Sequence, residues 1–412
     1  MRCRRPLSAA IGGRIIGRRG RDMRFPDVVN FMAVFALAAC SSCSGRRTAA
    51  DSSRSGIGFP SARQLDVVVA SYEGLQVWFG QGQGQFRASD QEFLTLPGTT
   101  SVTLGDLDGD GDLDLFVTRY ERNPNQVWFN DGAGRFRDSG QALGQSGSWR
   151  VALGDLDRDG DLDAFVIGTF DTFTPPGVVQ PQEVWLNNGK GVFADSGQRL
   201  GGTGGYDARL IDLDEDGDLD AVVVESGGIA LWSNQGNATF RERVGRLSGR
   251  VQADCRGLAM GDLDRDGDFD IVLARPSQCE VWIHRGQGQF DLGEIFATNS
   301  QAISVALGDL DGDGDLDTFL GTNAEHPNRV LLNNGQGQFT DTGQALAAGH
   351  TLDVALVDCD GDGDLDAIQA NRNSPNRLWL NDSKGHFTDS GRNLGNVMGI
   401  WKSRRLAVGS LR

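Results

Sequence analysis

Apolar positions in this chain fall in short runs, and the runs repeat. VALGD at 151–155 and again at 305–309 is an alternating apolar stretch that ends in an acidic segment; AFV, DIV and DTF runs follow such segments. Alternation over four to seven residues predicts half-buried strands, and the apolar runs after the acidic segments predict more deeply buried ones. A second motif follows each pair, a Val-Trp strand, then Asn/Gly/Gln turn residues, then Phe. Examples are VWFNDGAGRF (127–136), VWLNNGKGVF (184–193) and LWLNDSKGHF (378–387). No long stretch has a 3.6-residue period, so helix is expected to be minimal.

The acidic segments are copies of one nine-residue pattern, starting at Asp106, Asp155, Asp212, Asp262, Asp309 and Asp358, with steps of 49, 57, 50, 47 and 49 residues. A period near 50 marks a repeat array. The Trp half-repeat occurs seven times, the first copy being VWFGQGQGQF (77–86), upstream of every acidic segment. The missing half sits at the other end: LAVGSLR (406–412) matches the run before an acidic segment without its aspartates, and Leu65 to Val69 matches the run after one. Seven units are therefore expected, one assembled from both chain ends, as in a closed ring without exposed edge strands.

Each acidic segment fits D-x-D-x-D-G-x-x-D, close to the loop that EF-hands use. Calcium is a hard cation that takes six to eight oxygens, and aspartates at positions 1, 3, 5 and 9 of one tight turn can converge on it, with position 7 giving its carbonyl. Glycine at position 6 allows the reversal. The expected ligands are Asp106, Asp108, Asp110, Asp112 and Asp114 in the first loop, then Asp155, Asp157, Asp159, Asp161 and Asp163. The third and fourth loops offer Asp212, Asp214, Asp216, Asp218 and Asp220, and Asp262, Asp264, Asp266, Asp268 and Asp270. The last two offer Asp309, Asp311, Asp313, Asp315 and Asp317, and Asp358, Asp360, Asp362, Asp364 and Asp366. About six Ca²⁺ per chain are expected. Charge agrees: losing residues 1–39, with eight Arg and two Asp, takes the net −17 to −23, and six Ca²⁺ bring it to −11.

These loops and half-repeats, over residues of about 60–412, resemble the FG-GAP/VCBS repeats of integrin α-subunit propellers and many bacterial surface proteins. The resemblance implies an all-β fold, a seven-bladed β-propeller with four-stranded blades, with calcium in the hairpin joining the first two strands of a blade. The blade closed by the chain ends has Ser410 and Arg412 where two ligands belong, so no ion is expected there. The same topology puts a ring of positions, six residues before each first loop aspartate, on the face away from calcium. It reads Thr100, Trp149, Tyr206, Arg256, Ile303, Leu352 and Arg404. Trp149, Tyr206, Arg256 and Arg404 are the ligand-face candidates, and an enlarged link, GTFDTFTPPGVVQPQE (168–183), reaches the same face. Cys255 precedes the first strand of its blade and Cys279 follows the second, so a disulfide between them is expected at the open end of that hairpin.

The N-terminus has a different character. Residues 1–24 carry eight Arg, VVNFMAVFALAA (28–39) is apolar over signal-peptide length, and LAAC (37–40) resembles a lipobox. Residues 1–39 read as a lipoprotein signal peptide, with Met23 an alternative start; 40–58 as a lipidated Cys40 and flexible tether; 59–412 as the propeller. The expected address is the bacterial cell envelope, outer membrane or cell surface, with membrane contact through the lipid alone. Net acidity argues against nucleic acid. His284, His326, His350 and His386 recur with no partner at a catalytic spacing, and no nucleophile elbow or phosphate loop is present. The expected function is an extracytoplasmic ligand-binding or adhesion module for protein or carbohydrate. The alternatives are a calcium-dependent lyase or dehydratase acting on carbohydrate, and a structural subunit of a surface assembly.

Overall fold

The computed structural model describes residues 65–412 apart from 92–95, 121–122, 145–146, 169–179, 203, 226–227, 244–246, 248–254, 324, 373 and 395–402. The signal segment, Cys40, the tether and most of the enlarged link lie outside the described residues.

The described chain folds into 28 strands in seven four-stranded antiparallel sheets. The first sheet holds β1 (Asp66–Ser71), β2 (Gly74–Gly82) and β3 (Gln85–Ala88). The second is β4 (Thr99–Gly105), β5 (Asp114–Arg119), β6 (Gln126–Asn130) and β7 (Phe136–Asp138). The third is β8 (Ser148–Gly154), β9 (Asp163–Gly168), β10 (Gln182–Leu186) and β11 (Ala194–Leu200). The fourth is β12 (Gly205–Ile211), β13 (Asp220–Glu225), β14 (Gly228–Asn234) and β15 (Phe240–Glu242). The fifth is β16 (Gly257–Gly261), β17 (Asp270–Ala274), β18 (Cys279–His284) and β19 (Phe290–Phe296). The sixth is β20 (Ala302–Gly308), β21 (Asp317–Thr322), β22 (Arg329–Asn333) and β23 (Phe339–Asp341). The seventh is β24 (Thr351–Val357), β25 (Asp366–Asn371), β26 (Asn376–Leu380) and β27 (Thr388–Leu394). The first sheet gains its inner strand from β28 (Ser403–Gly409), which pairs with β1 through Val67 opposite Val408 and Val69 opposite Leu406.

Inner strands touch their neighbours in the order β4, β8, β12, β16, β20, β24, β28 and back to β4, so the sheets form a closed ring of blades. No α-helix occurs among the described residues. This is the all-β, seven-bladed propeller that the resemblance to FG-GAP/VCBS repeats implies. The burial gradient follows from the geometry: β5, β9, β13, β21 and β25 are buried at every position, because both faces of a second strand meet another blade. The outer strand β11 alternates exposed and half-buried residues.

Blades adhere through one repeated contact set. The recurring tryptophans are buried between sheets, as Trp128, Trp185, Trp232, Trp282 and Trp379 show. Phe116, Phe165 and Phe319 on second strands meet the edge or face of Phe193, Phe240 and Phe387 of the next blade at 5.4, 5.1 and 5.4 Å between ring centroids. Such edge-to-face pairs add roughly 0.5–1.5 kcal/mol beyond burial. At the end of the inner strand, Gly105 faces Leu162 and Leu153 of the next blade so closely that an added Cβ would lie 2.9 Å from Leu162 Cδ1. Glycine here is required by close approach rather than by dihedral angle.

Candidate functional site

Six acidic loops join the first and second strands of six blades, and they share one internal architecture. The position 6 amide donates to Oδ2 of the position 1 aspartate at 2.8–3.2 Å, from Gly111 to Asp106 through Gly363 to Asp358. That wrap demands left-handed backbone at positions 4 and 6. Position 6 is glycine throughout, with φ from 88° to 99°. Position 4 is glycine in three loops, but Arg158, Glu215 and Arg265 adopt φ of 64°, 61° and 64°.

The ninth aspartate is the anchor of each loop. Asp114 is fully buried; its Oδ2 accepts from Leu107 N at 3.0 Å and its Oδ1 from Asn130 N at 2.8 Å. The same pair of bonds recurs at Asp163, Asp220, Asp270, Asp317 and Asp366. The residue that holds Oδ1 also stitches blades together: Asn187 Nδ2 donates to Leu107 O at 2.8 Å, Asn234 to Leu156 O at 2.7 Å and Asn381 to Leu310 O at 2.8 Å. Loop, hairpin and neighbouring blade therefore form one unit.

These loops can hold metal ions. Carboxylate oxygens of positions 1, 3 and 9 lie within 4.8 Å of one another in Asp106/Asp108/Asp114, Asp155/Asp157/Asp163, Asp262/Asp264/Asp270 and Asp309/Asp311/Asp317. In the third loop the group is Asp212, Asp214 and Asp216. Oδ1 of Asp214, Asp262 and Asp264 is buried without a hydrogen-bond donor, which leaves it open to a cation. With protein groups alone, burial pushes the carboxyls of Asp114, Asp163, Asp220, Asp270, Asp317 and Asp366 up to about 7, two backbone amides opposing the shift and neighbouring aspartates adding to it. Burial, followed by the charge of the aspartate at position 5, also raises Asp108, Asp157, Asp264, Asp311 and Asp360. Two position 7 aspartates, Asp218 and Asp315, pair their side chains with an arginine of the preceding loop. Arg158 reaches the next loop, pairing with Asp218 and donating from Nη2 to Asp216 O at 2.7 Å; Arg265 does the same to Asp315 and to Asp313 O.

The sixth loop carries Cys359 for the usual leucine, and its amide still donates to Asp366 Oδ2 at 2.9 Å. In the closing blade, Asp66 occupies the place of the ninth aspartate. It accepts from Gly80 N and Leu411 N, as the others do, and pairs with the Arg412 guanidinium.

The expected disulfide is not formed. Ala274 of β17 pairs with Gly257 on one side and with Cys279 on the other, so β17 runs between the two cysteines. Two strand spacings come to roughly 10 Å, beyond the reach of a disulfide. The side chains also enter different cores: Cys255 packs with Leu231 and Leu258, and Cys279 with Val281 and Phe296. Cys279 is the first residue of the third strand rather than part of the link after the second.

On the face away from the acidic loops, the ligand-face candidates come together in two pairs. Arg404 lies 5.4 Å from the ring centroids of both Trp149 and Tyr72, which belong to different blades. Arg256 lies 5.5 Å from the Tyr206 ring. One residue further along the inner strands is a charged ring that the sequence reading missed. Asp207 pairs with Arg150 and, at 2.7 Å, with Arg209; Asp353 lies 3.9 Å from Arg150 and 3.7 Å from Arg405. Arg150 thus connects blades on opposite sides of the axis. Burial works against Asp207's charge, but Arg150, Arg209 and Arg405 together hold its carboxyl low. Burial, reinforced by Arg150, brings Arg405 down to about 10. The signal was available: the positions read Ser101, Arg150, Asp207, Gly257, Ser304, Asp353 and Arg405 in otherwise apolar strands.

Fold and site together define a β-propeller whose hairpin loops carry carboxylate clusters able to hold metal. FG-GAP-like repeats match at residues 63–117, 106–166, 212–273, 262–320 and 312–368, and the chain belongs to that repeat family. No curated protein matches over its sequence. Among solved structures, a lectin of Agrocybe aegerita, described for its specific recognition of non-reducing terminal N-acetylglucosamine, is 21% identical with a TM-score of 0.56, covering 84% of this chain and 94% of that one. The periplasmic gluconolactonase PpgL of Pseudomonas aeruginosa is 16% identical with a TM-score of 0.61, covering 84% and 99%. A putative 6-phosphogluconolactonase from Bacteroides uniformis is 14% identical with a TM-score of 0.61, covering 84% and 100%. At these identities the likeness is one of fold.

Proposed function

We propose that this chain is a calcium-stabilised, extracytoplasmic binding module, tied to the bacterial envelope through a lipid on Cys40, that presents the face opposite the acidic loops to a carbohydrate or protein ligand. In this reading residues 1–39 direct export, 40–58 tether, and 59–412 form the propeller. Calcium suits the loops because their donors are all oxygens, several to a loop, in a flexible turn. Positions 1, 3, 5 and 9 would give carboxylates and position 7 its carbonyl. The ion would supply the positive charge that the clustered carboxylates lack, so that its binding energy becomes folding energy.

The observation that carries the binding role is the convergence of Arg404 and Tyr72, from the closing blade, with Trp149, from the third, on one spot beside the axis. Aromatic and Arg side chains concentrate binding energy at interfaces. A glycan array probed with the full chain in calcium buffer tests the role, with affinity capture of envelope proteins as its counterpart. Binding abolished by Trp149→Ala supports it; binding untouched by changes at Trp149, Tyr206, Arg256 and Arg404 contradicts it.

A further inference from the structure

The two faces differ in sign. Aspartates gather in the loops, whereas arginines gather around the other end of the axis. The axial cavity has a volume of about 380 Å³, within the range of small-molecule sites. Toward the acidic loops its lining is apolar, with Leu113, Leu162, Leu219 and Leu316. Toward the other end it is lined by Arg150, Asp207, Arg209, Asp353, Arg405 and Arg256. Three of the four arginines share two aspartates, so this end carries excess positive charge before its rim is counted.

The rim adds more. Arg256, Arg372 and Arg404 have no ion pair or side-chain hydrogen bond among the described residues, in a chain with a net charge of −17. All three sit at this end of the propeller: Arg256 lines the cavity, Arg404 directly precedes Arg405, which also lines it, and the Arg372 amide donates to His350 O at 2.9 Å, just before β24. Arg404 and Arg256 are held in place by ring faces, so their N–H edges are ordered before a ligand arrives. Like-charged guanidinium groups, ordered and unpaired, form a receptor for an oxyanion. A planar carboxylate matches their fork in two bonds, which a single point charge does not. Tyr72, Tyr206 and Trp149 add polar tips and apolar edges of the kind that meet a sugar ring.

We infer that the end of the axial cavity lined by Arg256, with Arg404 and Arg372 on the rim beside it, binds a small acidic saccharide, a uronate, through its carboxylate. This rests on the reading of that face as a ligand site and names the chemistry it selects. The Arg150, Asp207, Arg209, Asp353 and Arg405 network below the rim keeps the floor positive and fixed.

Calorimetric titration of the full chain, in calcium buffer, with galacturonate, galactose and inorganic sulfate tests it. Galacturonate should bind saturably, with galactose and sulfate each weaker by about tenfold or more. Arg404→Gln and Arg256→Gln should each weaken galacturonate about tenfold with an unchanged melting temperature. Arg372→Gln, at an exposed residue, gives the same readout should either of those variants fold poorly. Equal binding of galactose or of sulfate, no binding of galacturonate, or folded variants with full affinity would each overturn the inference. Neutral glycans bound on the array without a response to uronates would remove this inference and leave the face a ligand site; silence on both would remove both.

Discussion

Arg412 Nη2 lies 3.0 Å from Asp66 Oδ1, where the closing blade has no acidic loop. Asp66 is the equivalent of Asp114, and Arg412 follows Leu411 as Asp108 follows Leu107. A guanidinium therefore faces the anchoring carboxylate at a position that holds a carboxylate in the six other blades. The guanidinium also stacks on Phe79, 4.4 Å from its centroid, and donates to Gly80 O at 3.2 Å. One side chain thus supplies charge and packing at the seam where β28 meets β1.

Arg412→Ala should destabilise the chain by about 1 kcal/mol, a modest figure because the arginine is one-third exposed. Added calcium should not restore the loss, which urea denaturation with and without the ion would read. Recovery of full stability on adding calcium would mean that the closing blade holds an ion after all.

The acidic loops predict a specific pH dependence. In the metal-free fold the ninth aspartates titrate at about 7, against 3.8 when unburied. The folded form then holds more protons than the unfolded form between these values, so metal-free stability is greatest below about pH 4 and falls as pH rises through about 7. A bound cation needs the same groups ionised and reverses the trend. Chelator should lower the melting temperature far more at pH 8 than at pH 5. An equal drop at both would contradict the linkage.

Backbone strain at loop position 4 gives a paired test. Glu215 sits at φ 61° inside an acidic cluster, so Glu215→Gly should stabilise the chain by about 1 kcal/mol. Arg158→Gly relieves the same strain and loses the ties to Asp216 and Asp218, so its gain should vanish. Thermal melts of both variants, each at saturating calcium, separate the two effects. Equal stabilisation by both would deny the role of the Arg158 link.

Asp207 holds Arg150 and Arg209 together in the axial network, and its removal leaves Arg209 without an ion pair and Arg150 with only the longer contact to Asp353. Asp207→Asn should cost about 3 kcal/mol, seen as a lower urea midpoint at unchanged slope. A change within about 0.5 kcal/mol would show that the network is looser than its geometry.

Much of this was legible in the sequence, for a physical reason. Period, loop and Trp half-repeat each recur, so the packing of one blade on the next has one solution used seven times. The half-units at Leu65 and Leu406 could be matched because the ring must pair its last strand. The axial charges were missed because no one residue type recurs at their position in every blade: it reads Ser101, Arg150, Asp207, Gly257, Ser304, Asp353 and Arg405. The Cys255–Cys279 bond failed on a register of a few residues, since the β17–β18 turn is shorter than the sequence suggests and puts Cys279 on the far side of a strand. Composition marks where strands lie better than where they end.

Six loops should hold calcium, and in the seventh blade Arg412 takes the ion's place. Native mass spectrometry of the full chain, stripped of metal and then titrated with Ca²⁺, counts the ions directly. Six ions per chain, with a melting temperature that climbs as they bind, is the predicted result. Two ions or fewer, or a melting temperature indifferent to calcium, would contradict it.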